Sequence, residues 1–396
     1  MQSNIRLPTL KGVDLTDKRV IVRLDLNVPL DENGNISDDT RILESLETLS
    51  YLVKKASKVV ILSHLGRPSK EEYEERFSLK PVAKKISELL NRTIPVANNF
   101  NDLDRLLEDC SVVMFENVRF QKGEKENAHA LSRLYAKRAD LFVMDSFGTS
   151  HREHSSTCGI IEFVDYACAG FLLEREIKAL EQILYNPASP VVAIVGGSKV
   201  STKLEVLRNL VQRVDYLIPG GGIANTLLLA KNINMQASLV ESGMVDFASD
   251  LLKEKFGPAK ILLPKDAIAA ASIDDDNIFQ GPVEEIPENF MMLDIGPRTI
   301  KDYQEVLMKA KTIIWNGPLG VFEREPFSLG TKEIAMTISE STAFSFAGGG
   351  DTVAAINIFG LTERISYIST GGGASLDFLS GKVLPSVHAL QKKINT

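Results

Sequence analysis

Short uninterrupted apolar runs recur along the whole chain, most of them the length of one strand. In the first half they fall at Val20–Leu26, Val59–Leu62, Val112–Phe115, Leu141–Asp145 and Gly159–Val164. In the second half they fall at Val191–Val195, Tyr216–Ile218, Ile261–Leu263, Met291–Ile295, Thr312–Trp315, Ala343–Ala347 and Ile365–Ser369. Several are apolar at every position, as parallel strands covered on both faces require. Helical spacing fills the intervals. Ile42, Leu43, Leu46, Leu49, Leu52 and Val53 keep one face through Arg41–Ala56, and Val82, Ile86, Leu89 and Leu90 do so through Pro81–Asn91. Leu204, Leu207, Leu210 and Val211 predict a helix over Lys203–Arg213, with Thr202 and Glu205 as its capping box. Ile300, Tyr303, Val306, Leu307 and Ala310 predict another. Strand and helix alternate throughout, so the expected class is α/β with parallel sheets.

The strands are too many for one comfortable sheet. Phe171–Leu184 reads as a long helix, and the Tyr-Asn-Pro-Ala-Ser-Pro segment after it (185–190) reads as the exit into a second domain. The expected architecture is two Rossmann-like, three-layer halves joined by a helix and hinge: residues 1–170, a connecting helix over 171–185, and residues 186–381. A chain of 396 residues agrees, because a single core rarely grows past ~300. A formal charge of −7 argues against broad nucleic-acid or anionic-lipid surfaces. Cys110, Cys158 and Cys168 lack the spacing of a zinc site or disulfide framework, so reduced thiols in a cytoplasmic protein are expected. Met1–Leu10 has no signal-peptide pattern, and no apolar run is long enough to span a membrane.

The chemistry lies just past the carboxyl end of each strand, where open parallel sheets bind their ligands. In the first half these ends are cationic or polar: Arg23-Leu24-Asp25-Leu26-Asn27, then His64 and Arg67, then Arg119, then His151 and Arg152, with Arg41 opening the first helix. Guanidinium groups grip phosphate and carboxylate through paired hydrogen bonds, so a small polyanion is the expected ligand. In the second half the ends are glycine-rich: Gly196-Gly197-Ser198-Lys199, Gly220-Gly221-Gly222, Asn316-Gly317, Gly348-Gly349-Gly350-Asp351-Thr352 and Gly371-Gly372-Gly373. Glycine admits phosphate close to backbone N–H groups, and several such loops favour a nucleotide. Lys199 and Lys203 have two readings: one turn apart and both reaching phosphates if the helix has begun by then, or two exposed lysines at a helix start. Asp351 has two readings, a Mg²⁺ ligand or a helix cap.

There is no G-x-x-x-x-G-K-[ST] segment, which excludes a P-loop, and no nucleophile elbow. Three glycine clusters approach G-x-G-x-x-G but fail at Asn225, Val353 and Leu376. His129 and His388 sit in helical patterns and read as surface or packing residues. A nucleotide-dependent oxidoreductase, motivated by those near misses, and a non-catalytic nucleotide-binding protein are two readings that these residues leave open.

Nine segments in order resemble the phosphoglycerate kinase family, nearly end to end: Arg23–Pro29, Ser63–Pro68, Glu116–Phe120, Asp145–Ser156, Gly196–Lys203, Gly220–Thr226, Trp315–Glu323, Gly348–Thr352 and Ser369–Ser375. The resemblance implies a hinge-bending monomer that transfers phosphoryl between 1,3-bisphosphoglycerate and Mg-ADP, giving 3-phosphoglycerate and ATP without a general base. It implies that Asp25, Asn27, Arg41, His64, Arg67, Arg119 and Arg152 bind the phosphoglycerate. It implies that Gly197, Ser198, Lys199, Lys203, Gly221, Gly222, Leu239, Asn316, Glu323, Gly349, Gly350, Asp351 and Thr352 bind the nucleotide, with Asp351 towards Mg²⁺. Arg41, Lys203, Gly349 and Gly372 are then expected to act on the transferring group. It also implies that about 382–396 return to the first domain. Ser146, Ser150, Glu153, Ser198, Lys265 and Ala267 depart from the family's usual residues, none at an assigned catalytic position.

Overall fold

The computed structural model describes residues 5–394. The chain forms two compact units: one runs to Lys178 and resumes at Val383, the other spans Ala179–Lys382.

The first unit is built on β1 (Arg19–Leu24), β2 (Lys58–Leu62), β3 (Val96–Ala97), β4 (Val112–Phe115), β5 (Leu141–Asp145) and β6 (Tyr166–Ala169). They form one sheet in the order β3-β4-β2-β1-β5-β6. Every pairing is parallel. Its helices are α1 (Thr40–Lys55), α2 (Lys80–Leu90), α3 (Phe100–Asp109), α4 (His129–Ala136), α5 (Ile160–Phe163) and the start of α6 (Phe171–Leu184). Val20, Val22, Ile61 and Val143 pack with Ile42, Leu49 and Leu52 of α1 in its core. That buried stripe is narrower than the periodicity predicts, since Leu43 lies 48% exposed. Asp145, at the end of β5, accepts from the backbone N–H of Leu173 at 2.9 Å and so satisfies a free donor at the start of α6.

The run Gly159–Val164 is not a strand. Ser155–Gly159 winds as a π-helical turn into α5, and the edge strand is Tyr166–Ala169. Periodicity cannot separate a short buried helix from a strand. Here Ile160 and Ile161 are buried where α5 packs against α4.

The second unit holds β7 (Val191–Val195), β8 (Tyr216–Pro219) and β9 (Lys260–Ile261), then β10 (Asp266–Ala270), β11 (Phe279–Pro282) and β12 (Met291–Ile295), then β13 (Thr312–Asn316), β14 (Phe344–Ala347) and β15 (Tyr367–Ile368). Its main sheet runs β15-β14-β13-β7-β8-β9. It too is parallel throughout. Its helices are α7 (Leu204–Leu210), α8 (Gly221–Ala230), α9 (Val245–Leu252), α10 (Pro297–Leu307), α11 (Leu329–Glu340), α12 (Gly350–Ile358) and α13 (Gly373–Leu379). Val192, Ile194, Ile313 and Trp315 meet Ile334 and Ile338 of α11 in the core.

A three-stranded antiparallel sheet, β11-β10-β12, accompanies the parallel one and is absent from the sequence expectation. Met291–Ile295 is read correctly as a strand, but its direction is set by its partner, which an apolar run does not encode. The expected capping box is also absent: α7 starts at Leu204 without a side-chain cap, and the Thr202 hydroxyl donates to Lys199 O at 2.8 Å. The last helix, α14 (Pro385–Lys393), packs against α5 and β6 of the first unit.

Candidate functional site

Parallel pairing places the carboxyl ends of neighbouring strands on one rim. In the first unit β4, β2, β1 and β5 are adjacent, so the loops carrying Arg119, His64 with Arg67, Asp25 with Asn27, and Arg152 converge. Arg41, in the first turn of α1, donates through Nη1 to the buried Asp25 carboxylate. A Cβ at Gly148 would lie 2.4 Å from Asp25 Oδ2, so only glycine leaves that carboxylate its place. Asn27 Oδ1 accepts from Gly66 N at 2.7 Å, and Gly66 O accepts from Arg119 Nη1. The turn at Arg119 is held from behind. Buried Glu116 accepts from Ser78 Oγ, Leu79 N and Asn117 N, and Asn117 Nδ2 donates to Leu65 O and Phe77 O. Arg152 Nε lies 3.3 Å from His151 Nε2. Arg67 is exposed and acts on Arg119 through charge alone.

His64 is buried, and burial with Arg23, Arg119, Arg152 and Arg41 around it holds its pKa well below the usual value. It is therefore neutral near pH 7. Arg23 Nη2 sits 3.1 Å from its Nδ1. Guanidinium is only a donor, so Nδ1 accepts and the proton resides on Nε2. His154 is likewise neutral, pushed down to about 3 by burial and the same cations. Arg119 is lowered to about 10 by burial and by Arg152 and Arg23, and keeps its charge.

Three residues in this network fall outside the set expected from sequence: Arg23, Glu124 and Ser156. Arg23 is 1% exposed, and its Nε donates to Ser156 Oγ at 3.1 Å. Ser156 Oγ in turn donates to Glu124 Oε1 at 2.5 Å. Arg23 opens the RLDLNVP segment and is counted among the cationic strand ends, but the sequence assigns it no role of its own. Glu124 lies in the charged stretch Lys122–Glu126, outside every segment singled out from the sequence.

In the second unit β15, β14, β13, β7 and β8 are adjacent, and the glycine-rich loops share their rim. Lys203 Nζ donates to Gly196 O at 2.6 Å, to Asn316 O at 3.1 Å and to Asn316 Oδ1. Asn316 Nδ2 donates to Gly348 O at 2.7 Å, and Gly317 N to the buried Thr352 hydroxyl at 2.7 Å. Trp315, 1% exposed, fixes this loop by donating its indole N–H to Gly317 O at 3.0 Å.

The glycines divide into two kinds. A Cβ at Gly196 would lie 1.8 Å from Pro318 O, and one at Gly222 would lie 2.2 Å from Ser198 O, so these glycines let loop pack against loop. Gly350 and Gly372 face open space, with nothing within 4 Å of an added Cβ. Gly349 and Gly372 adopt φ of 98° and 48°, where side chains are disfavoured. In the Gly196–Gly197 and Gly220–Gly222 loops, part of the cluster is thus spent on packing one loop against another.

Lys199 and Lys203 do not lie on one helix face. Ser201–Lys203 is a 3₁₀ turn, Lys199 and Ser198 are exposed ahead of it, and Lys203 alone joins the network. Leu239 is 54% exposed and bonds through its carbonyl to Asn225 Nδ2. Leu239 and the exposed Glu323 share no hydrogen bond with Lys203 or Asn316 among the described residues. Gly197 and Gly221 adopt φ of 150° and 60° beside this network.

Burial lowers the Lys203 pKa to about 8, opposed by the Asp351 charge. The ammonium is charged below that value and lost above it. If Lys203 meets nucleotide phosphates, kcat/KM for Mg-ATP falls about tenfold between pH 7 and pH 9. A flat profile over that range excludes the role.

Asp351 lies in the first turn of α12, is exposed, and makes no side-chain cap. No group of three or more His, Cys, Asp or Glu among the described residues is placed to hold a metal ion. A lone carboxylate beside glycines that face open space fits Mg²⁺, which characteristically takes one or two carboxylates and completes its shell with phosphate oxygens and water. No helix among the described residues is long and apolar enough to cross a membrane.

Comparison with known proteins bears on this pair of rims. A family model described as phosphoglycerate kinase matches residues 10–382. The phosphoglycerate kinase of Francisella tularensis subsp. novicida is 46% identical over 388 residues, covering 97% of this chain and 98% of that one. That of Helicobacter hepaticus is 45% identical over 391 residues, with 97% of each covered. The solved phosphoglycerate kinase of Coxiella burnetii superposes with a TM-score of 0.91 at 43% identity, covering 98% of this chain and 99% of that one. That of Pyrococcus horikoshii superposes with a TM-score of 0.83 at 32% identity, covering 98% and 100%.

Proposed function

Because the chain belongs to the phosphoglycerate kinase family, we propose that it transfers phosphoryl reversibly from the acyl phosphate of 1,3-bisphosphoglycerate to Mg-ADP, giving 3-phosphoglycerate and ATP. It is an enzyme of a glycolytic kinase family. In our reading the two units divide the labour. The first unit binds the phosphoglycerate through Asp25, Asn27, Arg41, His64, Arg67, Arg119 and Arg152. The second binds the nucleotide through the loops of Gly197–Lys203, Gly221–Gly222, Asn316 and Gly349–Thr352, with Leu239 against the base and Glu323 towards the ribose. What most directly supports this is the partition of donors. One unit offers guanidinium groups at its strand ends, and the other offers Lys203 with backbone N–H groups at open glycines.

In the ATP-consuming direction the nucleophile is the phosphoglycerate carboxylate, already ionised near pH 7. No side chain has to accept a proton, and the neutral His64 serves as a hydrogen-bonding group. The difficulty is charge: two anions must approach, and the transferring group must be stabilised. Positioning and electrostatics supply most of the catalysis in such transfers. Arg41 and Lys203 neutralise the transferring group, and N–H donors at Gly349 and Gly372 complete its cradle. Asp351 and the nucleotide phosphates would hold Mg²⁺, which when bound would supply charge neutralisation on the nucleotide. Closure about a hinge excludes water and assembles the two half-sites. The enzyme acts as a cytoplasmic monomer.

The test is turnover of 3-phosphoglycerate with Mg-ATP, with the acyl phosphate trapped by hydroxylamine. Trapped product that depends on both substrates is expected. None from folded protein overturns the reading, and a bound nicotinamide released on denaturation would favour the oxidoreductase instead.

A further inference from the structure

Behind the cationic rim of the first unit lies a buried carboxylate that the reaction as described does not use. Glu124 is 1% exposed, so it touches no ligand. It faces Arg23 from β1, Arg119 from the turn after β4, Tyr135 from α4, and His154 and Ser156 from the segment after β5, while Arg152 acts on Arg23 and Arg119 beside it. Both of its oxygens are acceptors: Oε1 takes the Ser156 hydroxyl at 2.5 Å, and Oε2 takes the Ser156 backbone N–H at 3.2 Å.

The direction of these bonds matters. Arg23 spends Nη1 on Leu24 O, Nη2 on His64 Nδ1 and Nε on Ser156 Oγ. Because Ser156 Oγ accepts from Arg23, its own proton has to point elsewhere, and Glu124 is where it points. The carboxylate thereby fixes the hydroxyl rotor, the rotor fixes Arg23, and Arg23 fixes the imidazole of His64. We propose that Glu124 is a positioning residue for the phosphoglycerate anion, holding Arg23 and His64 in place through Ser156. The proposal rests on the reading that this rim holds the anion.

Only the ionised carboxylate accepts from both Ser156 donors. A carboxylic acid, or a glutamine, presents a hydrogen to one of them. Leaving a buried donor unmatched costs about tenfold in an equilibrium that depends on it. Burial raises the Glu124 carboxyl to about 7, against the pull of Ser156, Arg23 and Arg119. The relay is therefore intact above that pH and loosens below it.

The test compares KM for 3-phosphoglycerate, at saturating Mg-ATP, in the wild type and in Glu124→Gln from pH 6 to pH 8.5. The ratio of variant to wild type should be about tenfold at the alkaline end and approach one at the acid end. KM for Mg-ATP should stay within about twofold at every pH. Taking a ratio cancels titration of the substrate's own phosphate. Ser156→Ala, which breaks the relay but spares the carboxylate, should show the same pH-dependent ratio, with melting curves recorded for both variants. A ratio that does not vary with pH, or an equal rise in KM for Mg-ATP, overturns the inference, since loosened folding produces either. Absence of wild-type turnover would instead overturn the functional reading itself.

Discussion

Arg41→Ala lowers kcat by about 10²–10³-fold while the protein stays folded. Arg41 stands in the first turn of α1, its side chain 35% exposed, and pairs with an Asp25 carboxylate that is 8% exposed. The pair is lopsided: the acid is shielded, and the guanidinium reaches solvent at the rim where the anion is expected. Its remaining donors are therefore available to a phosphoryl group, and alanine removes them together with the charge. Removing the arginine also leaves Asp25 without its partner, so KM for 3-phosphoglycerate should rise as well. Arg41→Lys keeps a charge but not the planar fork, and should recover only part of the loss. Steady-state kinetics with both substrates decide the matter: kcat within threefold of wild type for the alanine variant would remove Arg41 from the transfer step.

Lys203→Met should separate activity from stability. Loss of the ammonium lowers kcat by about 10²–10³-fold. Folding should hardly change, because the depressed Lys203 pKa means that burial already disfavours the charged form in the native state. Against that stands the loss of a donor to Gly196 O, Asn316 O and Asn316 Oδ1, all close to a rim that water reaches. The two effects oppose each other, and the melting temperature should move by no more than about 3 °C. A large fall in melting temperature with retained kcat would make Lys203 a structural strut for the β7 and β13 loops. Lys199→Met should be milder than Lys203→Met, since Lys199 is exposed and stands outside the network.

Most strands and the connecting helix are legible from sequence, because their apolar runs are long enough to have one physical meaning. Val112–Phe115, Leu141–Asp145, Val191–Val195, Met291–Ile295 and Phe171–Leu184 have the ends the sequence predicts. Legibility fails where a run is short or its partner decides. Gly159–Val164 is apolar enough for a strand, yet it becomes a turn and a helix under α4. Asp266–Ala270 and Phe279–Pro282 carry little pattern of their own and are strands through pairing, the first with both the second and Met291–Ile295.

The sequence by itself determined the class of this protein and the character of its site. Strands apolar on both faces alternating with helices point to parallel sheets covered by helices, which both main sheets are, and the residues after them, arginines in one half and glycines in the other, mark where anionic ligands are expected. Tertiary structure alone decided which of those residues act together. Arg23 and Ser156 are 133 positions apart and meet because β1 and β5 are neighbours in a sheet whose order no local periodicity records. The same holds for Lys203 and Asn316, 113 positions apart and brought together by the pairing of β7 with β13. It also separates glycines that face open space from those that admit another loop. Local pattern reports which face of an element is buried; hydrogen-bond partnership and free volume depend on which element lies opposite.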